Sequence, residues 1–306
     1  MRGWYDAAMP PLTHFRARFR CLEDVEIDFT SPTDGSPVPF MAIVGPNGAG
    51  KTTILEAIAT VLWSALQRKP PALQVGDTIE IGSAHGPLRL EQMQGHLGCQ
   101  ILDWRGDEIQ SHSQHDKLIA LGFDRALFIR SGYLPKMAAG TPLSPDPARG
   151  MNLDQALLPE MHEQRVAAVH QWWLHQHWEY PLTTVLDRLW DALTPFLGDR
   201  LYAGVDPHDH LPRFDIGTTR VGFNDLSSGE RRIVLLFMEI VMQCGEDGLV
   251  LFDEPEAHFH PKWQTLLPEA LCKLVPHGQV IVATHAPNIV DGLAAQQMLV
   301  LGEKPW

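Results

Sequence analysis

Three short apolar runs, each stopping abruptly at a glycine-rich or polar point, organise this chain: Phe40–Val44, Leu249–Phe252 and Val280–Ala283. Unbroken runs without polar alternation predict strands of a parallel sheet covered on both faces. Thr53–Ile58 and Arg231–Cys244 instead gather their apolar residues at helical spacing. The second holds the most apolar stretch of the chain, from Ile233, yet it carries Glu239 and is too short to span a bilayer, so it reads as a buried helix. Thr78–Ile81 and Cys99–Trp104 read as strands of an antiparallel sheet, and Gly217-Thr218-Thr219 as a hairpin turn. Ala138–Gly150, with Gly140, Pro142, Pro145 and Pro147, reads as a loop. Two helical stretches, Asn152–Tyr180 and Leu182–Leu197, are punctuated by Pro181.

Composition narrows the class. With 306 residues, 44% of them hydrophobic, the chain can bury a large core as one domain or two lobes. A formal net charge of −13 argues against non-specific nucleic-acid binding by the whole surface and leaves room for a local basic patch. Cys21, Cys99, Cys244 and Cys272 form no C-x-x-C pair, which argues against a disulfide framework and fits a reducing cytoplasm. Met1–Asp6 leads into no apolar segment of the kind that opens a secretory signal.

The first apolar run feeds Gly45-Pro46-Asn47-Gly48-Ala49-Gly50-Lys51-Thr52, a full match to G-x-x-x-x-G-K-[ST], and Thr53 continues into the helix. A strand, a glycine-rich turn and a helix start together aim backbone N–H groups and a positive helix end at one point, an anion site suited to a β-phosphate. Lys51 is expected to neutralise the β/γ-phosphates and the Thr52 hydroxyl to ligate Mg²⁺. The second run ends in Asp253-Glu254; Asp253 is expected to hold Mg²⁺ and Glu254 to polarise the attacking water. The third ends at His285, placed to reach the γ-phosphate. Leu226-Ser227-Ser228-Gly229-Glu230 opens the buried helix and makes a second anion cradle. One chain rarely wraps both cradles round one nucleotide, which points to a homodimer with the nucleoside triphosphate at the interface.

These four motifs together resemble the ATP-binding-cassette (ABC) ATPases. Leu226–Glu230 is similar to the signature Leu-Ser-Gly-Gly-Gln: Ser227 and Gly229 match the positions that contact the partner's γ-phosphate, while Ser228 and Glu230 depart from it. Asp253-Glu254-Pro255-Glu256-Ala257-His258-Phe259-His260-Pro261 resembles the corresponding run of the OLD-like branch, which lies with RecF and the SMC heads. The stretch Phe19–Phe29 resembles that branch's opening strands, and Arg20 stands at its recurrent basic position, implying a nucleotide contact. The expected fold is therefore α/β: a P-loop NTPase with an ABC-type head, a mostly parallel core sheet, an antiparallel subdomain, and a helical lobe inserted between the P-loop and the signature. Residues 1–306 are expected to form one head, with a nucleotide-binding lobe from 10–105 and 211–306 and a mainly helical insert over 106–210. The resemblance implies an ATP- and Mg²⁺-dependent hydrolase in anti-phage defence or DNA repair that governs a separately encoded effector, a nuclease or toxin. Only Leu301–Trp306 follow the last strand, so no nuclease domain is expected after it. The insert lacks the sustained heptads of SMC arms.

Several features carry two readings. Arg16, Arg18 and Arg20 alternate at strand spacing and could touch DNA phosphates, or pair with Glu23, Asp24, Glu26 and Asp28. Trp172, Trp173, Trp178 and Tyr180, among His170, His175 and His177, form a helix core or a docking face. His208-Asp209-His210 and His258/His260 have spacings open to zinc, or belong to a loop and a helix entry. Phe128–Tyr133 is a candidate region for a glutamine loop. Rival functions are the ATPase subunit of a membrane transporter and a scaffold that binds ATP without turning it over.

Overall fold

The computed structural model describes residues 11–67, 73–83, 86–92, 100–102, 126–129, 133–134, 151–152, 183–209, 211–257 and 259–302. In chain order these form β1 (Leu12–Phe19), β2 (Leu22–Asp28), β3 (Phe40–Val44), α1 (Lys51–Gln67), β4 (Thr78–Ser83), β5 (Gly86–Glu91), β6 (Gln100–Leu102) and β7 (Ala126–Ile129). There follow β8 (Tyr133–Leu134), β9 (Met151–Asn152), α2 (Thr183–Leu197), β10 (Leu201–Val205), β11 (Pro212–Ile216), β12 (Thr219–Gly222) and α3 (Ser228–Cys244). The chain then makes β13 (Leu249–Asp253), α4 (Pro261–Gln264), α5 (Leu267–Leu274), β14 (Gln279–Thr284), α6 (Pro287–Val290) and β15 (Met298–Val300).

The three apolar runs lie side by side. The central sheet has the order β15-β3-β14-β13-β7, and every pairing in it is parallel. All residues of β3, β13 and β14 are buried, as a sheet covered on both faces requires. Period-two alternation sorts their side chains between two cores. Met41, Ile43, Leu249, Leu251, Ile281 and Ala283 pack with Ile54, Leu55 and Ile58 of α1 and with the antiparallel strands. Phe40, Ala42, Val44, Val250, Phe252, Val280 and Val282 face the opposite way, onto α2, α3 and α5. The helix after the P-loop and the helix after the signature thus cover opposite faces of one sheet.

The antiparallel sheet, ordered β2-β1-β4-β5-β6, lies over α1. A buried glutamine stitches it to the core: Gln279 accepts from the Leu12 N–H (2.8 Å) and donates to the carbonyls of Leu12 (3.1 Å) and Val38 (3.2 Å). A buried amide is tolerated because its hydrogen-bonding groups find partners. The expected hairpin forms, β11 and β12 pairing through Gly217-Thr218, and β10 adds a third strand. Trp190 of α2 stacks on Tyr202 of β10 at 4.2 Å between ring centroids and meets Phe214 of β11 edge-on.

The described residues of 106–210, a segment expected as a mainly helical insert, contribute to the core itself. β7 pairs with β13 as an edge strand of the central sheet, and α2 packs into the same core as α3 and α5. Asn152, expected to begin a helix, instead pairs in β9 with Tyr133 of β8, since its backbone groups are taken by a neighbouring strand. The helix expected from Leu182 begins at Thr183 and ends at Leu197. The strand expected over Cys99–Trp104 is found over Gln100–Leu102; Cys99, Asp103 and Trp104 lie outside the described residues, as do the Trp172–Tyr180 cluster and Ala138–Gly150.

Candidate functional site

The site gathers at the C-terminal edge of the central sheet. Val44, Asp253 and Ala283–Thr284 stand level there: Thr284 pairs with Val44, and Ala283 with Asp253. The residues one step beyond, Gly45, Glu254 and His285, therefore emerge next to one another.

From β3 the chain turns through Gly45–Gly50 into α1. Gly48 and Gly50 have φ of +84° and +92°, where an L side chain is strained. At Gly45 a Cβ would lie 2.7 Å from the Leu301 carbonyl oxygen beside β15, so only glycine lets the two segments meet. Lys51 is buried, at 5% exposure, and its ammonium donates to the carbonyls of Gly45 (2.7 Å) and Pro46 (2.9 Å). A buried cation held by carbonyls at a helix start is suited to an anionic phosphate chain.

The Thr52 hydroxyl donates to Asp253 Oδ1 at 2.9 Å, joining two residues 201 positions apart in sequence. A hydroxyl and a buried carboxylate converging on one point make an oxygen donor set of the kind Mg²⁺ takes beside a nucleotide phosphate. Glu254 follows with φ +47°, an unusual conformation for a residue with a side chain. The turn swings the chain off β13 directly after Asp253, and the Glu254 N–H is held by the Ala283 carbonyl at 2.9 Å.

His285 is held by a residue that sequence reasoning did not single out. Glu256 accepts from the Thr284 hydroxyl (2.7 Å) and the His285 N–H (2.8 Å), and its Oε1 lies 2.8 Å from His285 Nδ1. The acidic residue three positions past Asp253 was visible as a signal, but its partners were not.

The signature forms the N-terminus of α3. Ser227 is the N-cap: its hydroxyl accepts from the Glu230 N–H (3.3 Å), and Glu230 Oε2 accepts from the Ser227 N–H (2.7 Å), a reciprocal capping box. Glu230 also pairs with Arg200 at 2.9 Å. The acid that departs from the resembled signature thus serves as cap and ion-pair partner. Ser228 begins the helix, and Gly229 lies against the Trp263 ring, where a Cβ would sit 3.4 Å from the indole, in ordinary contact.

Residues 185–291 match the family described as an AAA domain of the AbiEii toxin, Type IV TA system, group, and residues 17–96 match a further AAA-domain family. The Septu protein PtuA of Bacillus mycoides is 25% identical over 297 residues, covering 93% of this chain and 39% of its own length. The OLD nuclease of Thermus scotoductus is also 25% identical, over 89% of this chain and 58% of its own. The chain therefore spans less than two thirds of either relative. In fold, a solved Smc head bound to the C-winged helix domain of ScpA superposes with a TM-score of 0.61 at 15% identity, covering 97% of this chain and 96% of that one. The chain has the ABC-type ATPase-head fold of the SMC proteins and matches two AAA-domain families.

Arg20 lies in the turn between β1 and β2 with φ +53°; its guanidinium sits 4.7 Å from the Phe19 ring centroid and pairs with Glu56 of α1. Arg16 and Arg18 both reach Asp24, at 3.4 and 3.8 Å, which is the acid-pairing alternative. The Thr53 hydroxyl lies 3.4 Å from Cys21 Sγ, on the α1 side of the phosphate loop. Phe128 and Ile129 belong to β7, while 130–132 of the glutamine-loop candidate lie outside the described residues. His208 and Asp209 lie in a turn in which Arg213 holds Asp206 and Asp209; His210 and His258 are not among the described residues, which contain no cluster of three or more metal-binding side chains. His260 caps α4 by accepting from the Lys262 N–H. Among the described residues no helix is long and apolar enough to cross a membrane.

Proposed function

We propose that this ATPase dimerises head to head around two ATP molecules and uses their hydrolysis to time a conformational switch. The observation that carries this reading is the placement of the two anion cradles. α1, which begins at Lys51, packs on one face of the central sheet, and α3, capped by Ser227, packs on the other. A triphosphate gripped by Lys51 and Thr52 is then sealed by the Ser227–Gly229 turn of a second copy, and symmetry supplies the reciprocal site.

Lys51 and the loop N–H groups hold the β- and γ-phosphates, and Thr52 with Asp253 is the pair to hold Mg²⁺. The bound metal would neutralise charge on the phosphate oxygens. Glu254 orients and polarises the attacking water, with His285 beside it. Each composite site adds a charge-assisted hydrogen bond from Ser227 or Gly229, worth about 1.5–3 kcal/mol. Two sites give ~3–6 kcal/mol, a dimer on the order of 10²- to 10⁴-fold tighter with ATP than without. Hydrolysis releases that clamp.

The resemblance to a Septu protein and an OLD nuclease, and to the AbiEii-toxin group, supports a role in bacterial anti-phage defence, with a separately encoded nuclease or toxin as the effector. The test is Glu254→Gln, which keeps nucleotide binding and slows hydrolysis. Gel filtration with ATP and Mg²⁺ is expected to give a long-lived dimer. A variant equally monomeric with and without ATP defeats the clamp, and genomic neighbours lacking any nuclease or toxin count against the effector role.

A further inference from the structure

Glu256 does more than fill space behind the site. Its side chain is 9% exposed, and its carboxylate takes two hydrogen bonds from the end of β14, the Thr284 hydroxyl on Oε2 and the His285 N–H on Oε1, with His285 Nδ1 2.8 Å from Oε1. Thr284 is itself fully buried, and its oxygen accepts from the Ala286 N–H at 3.0 Å. The loop that carries Glu256 is tied down as well: Gln264 Nε2 donates to the carbonyls of Phe259 (3.0 Å) and Glu256 (3.4 Å), while Gln264 Oε1 accepts from Asn288.

A carboxylate only accepts, so a ring nitrogen 2.8 Å from Glu256 Oε1 carries a proton. A histidine whose Nδ1–H is committed to an acid meets its reaction partner through Nε2, because the second-shell bond fixes both tautomer and ring direction. The His285 side chain is 46% exposed on the edge it shares with Gly45 and Glu254. We propose that Glu256 is a positioning residue for His285: it holds the proton on Nδ1 and turns Nε2 to the γ-phosphate and its attacking water. This inference rests on the ATPase reading for its kinetic consequence and on geometry alone for the tautomer. A plain packing role for Glu256 makes neither prediction.

The test uses the full chain labelled with ¹⁵N-histidine, with Glu256→Ala, Glu256→Gln, His285→Ala and the Glu256→Ala/His285→Ala double variant. In the parent, the His285 ring is expected as the Nδ1–H tautomer. Glu256→Ala should release it to a tautomer mixture, and Glu256→Gln, whose amide oxygen still accepts, should restore most of the parent signal. In kinetics, Glu256→Ala should lower kcat on the order of tenfold or more, with ATP affinity within about twofold of the parent, since the group acts on the reacting end of the nucleotide. Added to His285→Ala, it should cost nothing further. An Nε2–H tautomer in the parent, an unchanged His285 signal in Glu256→Ala, or a double variant whose losses multiply overturns the proposal. A parent without ATP turnover sinks the functional reading instead, and the tautomer measurement still decides the role of Glu256.

Discussion

Replacing Glu230 with alanine should loosen the signature and the fold around it. The side chain is 7% exposed and holds two partners: Oε2 accepts from the Ser227 N–H at 2.7 Å, and Oε1 pairs with Arg200 at 2.9 Å. Loss of a charge-assisted hydrogen bond at a helix N-terminus removes about 1.5–3 kcal/mol. Stranding the arginine adds less than the 3–5 kcal/mol of a fully buried pair, since its side chain is 26% exposed and water reaches it. A total of ~3 kcal/mol follows. Glu230→Gln keeps one acceptor oxygen, enough for the Ser227 N–H but not for Arg200 as well, so an intermediate loss of about 1.5–2 kcal/mol is expected. Urea unfolding monitored by tryptophan fluorescence reads both changes as a shift in midpoint at constant m. ATP turnover should fall further in Glu230→Ala than in Glu230→Gln, because the untied Ser227 no longer presents a fixed donor. An alanine variant within 0.5 kcal/mol of the parent, roughly the scatter of ordinary surface substitutions, refutes the capping account.

Other outcomes follow from the same geometry. Lys51→Ala should weaken ATP binding by about 100-fold or more, two charge-assisted contacts being lost, with unfolding little changed; titration calorimetry measures it. Gln279→Leu strands the Leu12 N–H and two carbonyls between the sheets and should cost about 3 kcal/mol in urea unfolding; a loss below 1 kcal/mol would show that the stitch is dispensable. Burial, helped by nearby Asp187, pushes the Tyr202 phenol up to about 12. The folded value lies above the unfolded one of about 10, so the neutral phenol's contribution is complete below pH 10 and is lost as pH rises through 12. Absorbance at 295 nm should show a late-titrating tyrosine that Tyr202→Phe removes.

Much of this architecture was legible because its signals are local. Phe40–Val44 and Leu249–Phe252 read as doubly covered strands because unbroken burial leaves an unbroken apolar run. The phosphate loop carries its conformational requirement at Gly48 and Gly50. What stayed hidden depends on partners remote in sequence. Four residues, Ala126–Ile129, become a core strand only by pairing with β13, and nothing around them marks that destination. Glu230 could be seen as a departure from the resembled signature, but its reason lies thirty positions upstream in Arg200. Glu256 stood within a quoted motif, yet its link to His285 exists only once β13 and β14 lie in register.

The pocket shared between two copies is tested most directly by mixing two inactive variants. Lys51→Ala retains an intact signature, and Ser227→Arg retains an intact phosphate loop. When equal amounts are combined, half the dimers are mixed and each holds one complete site, so turnover should recover to about a quarter of the parent rate. If each variant is inactive alone and the mixture stays inactive while the two chains co-elute with ATP, the pocket is not shared.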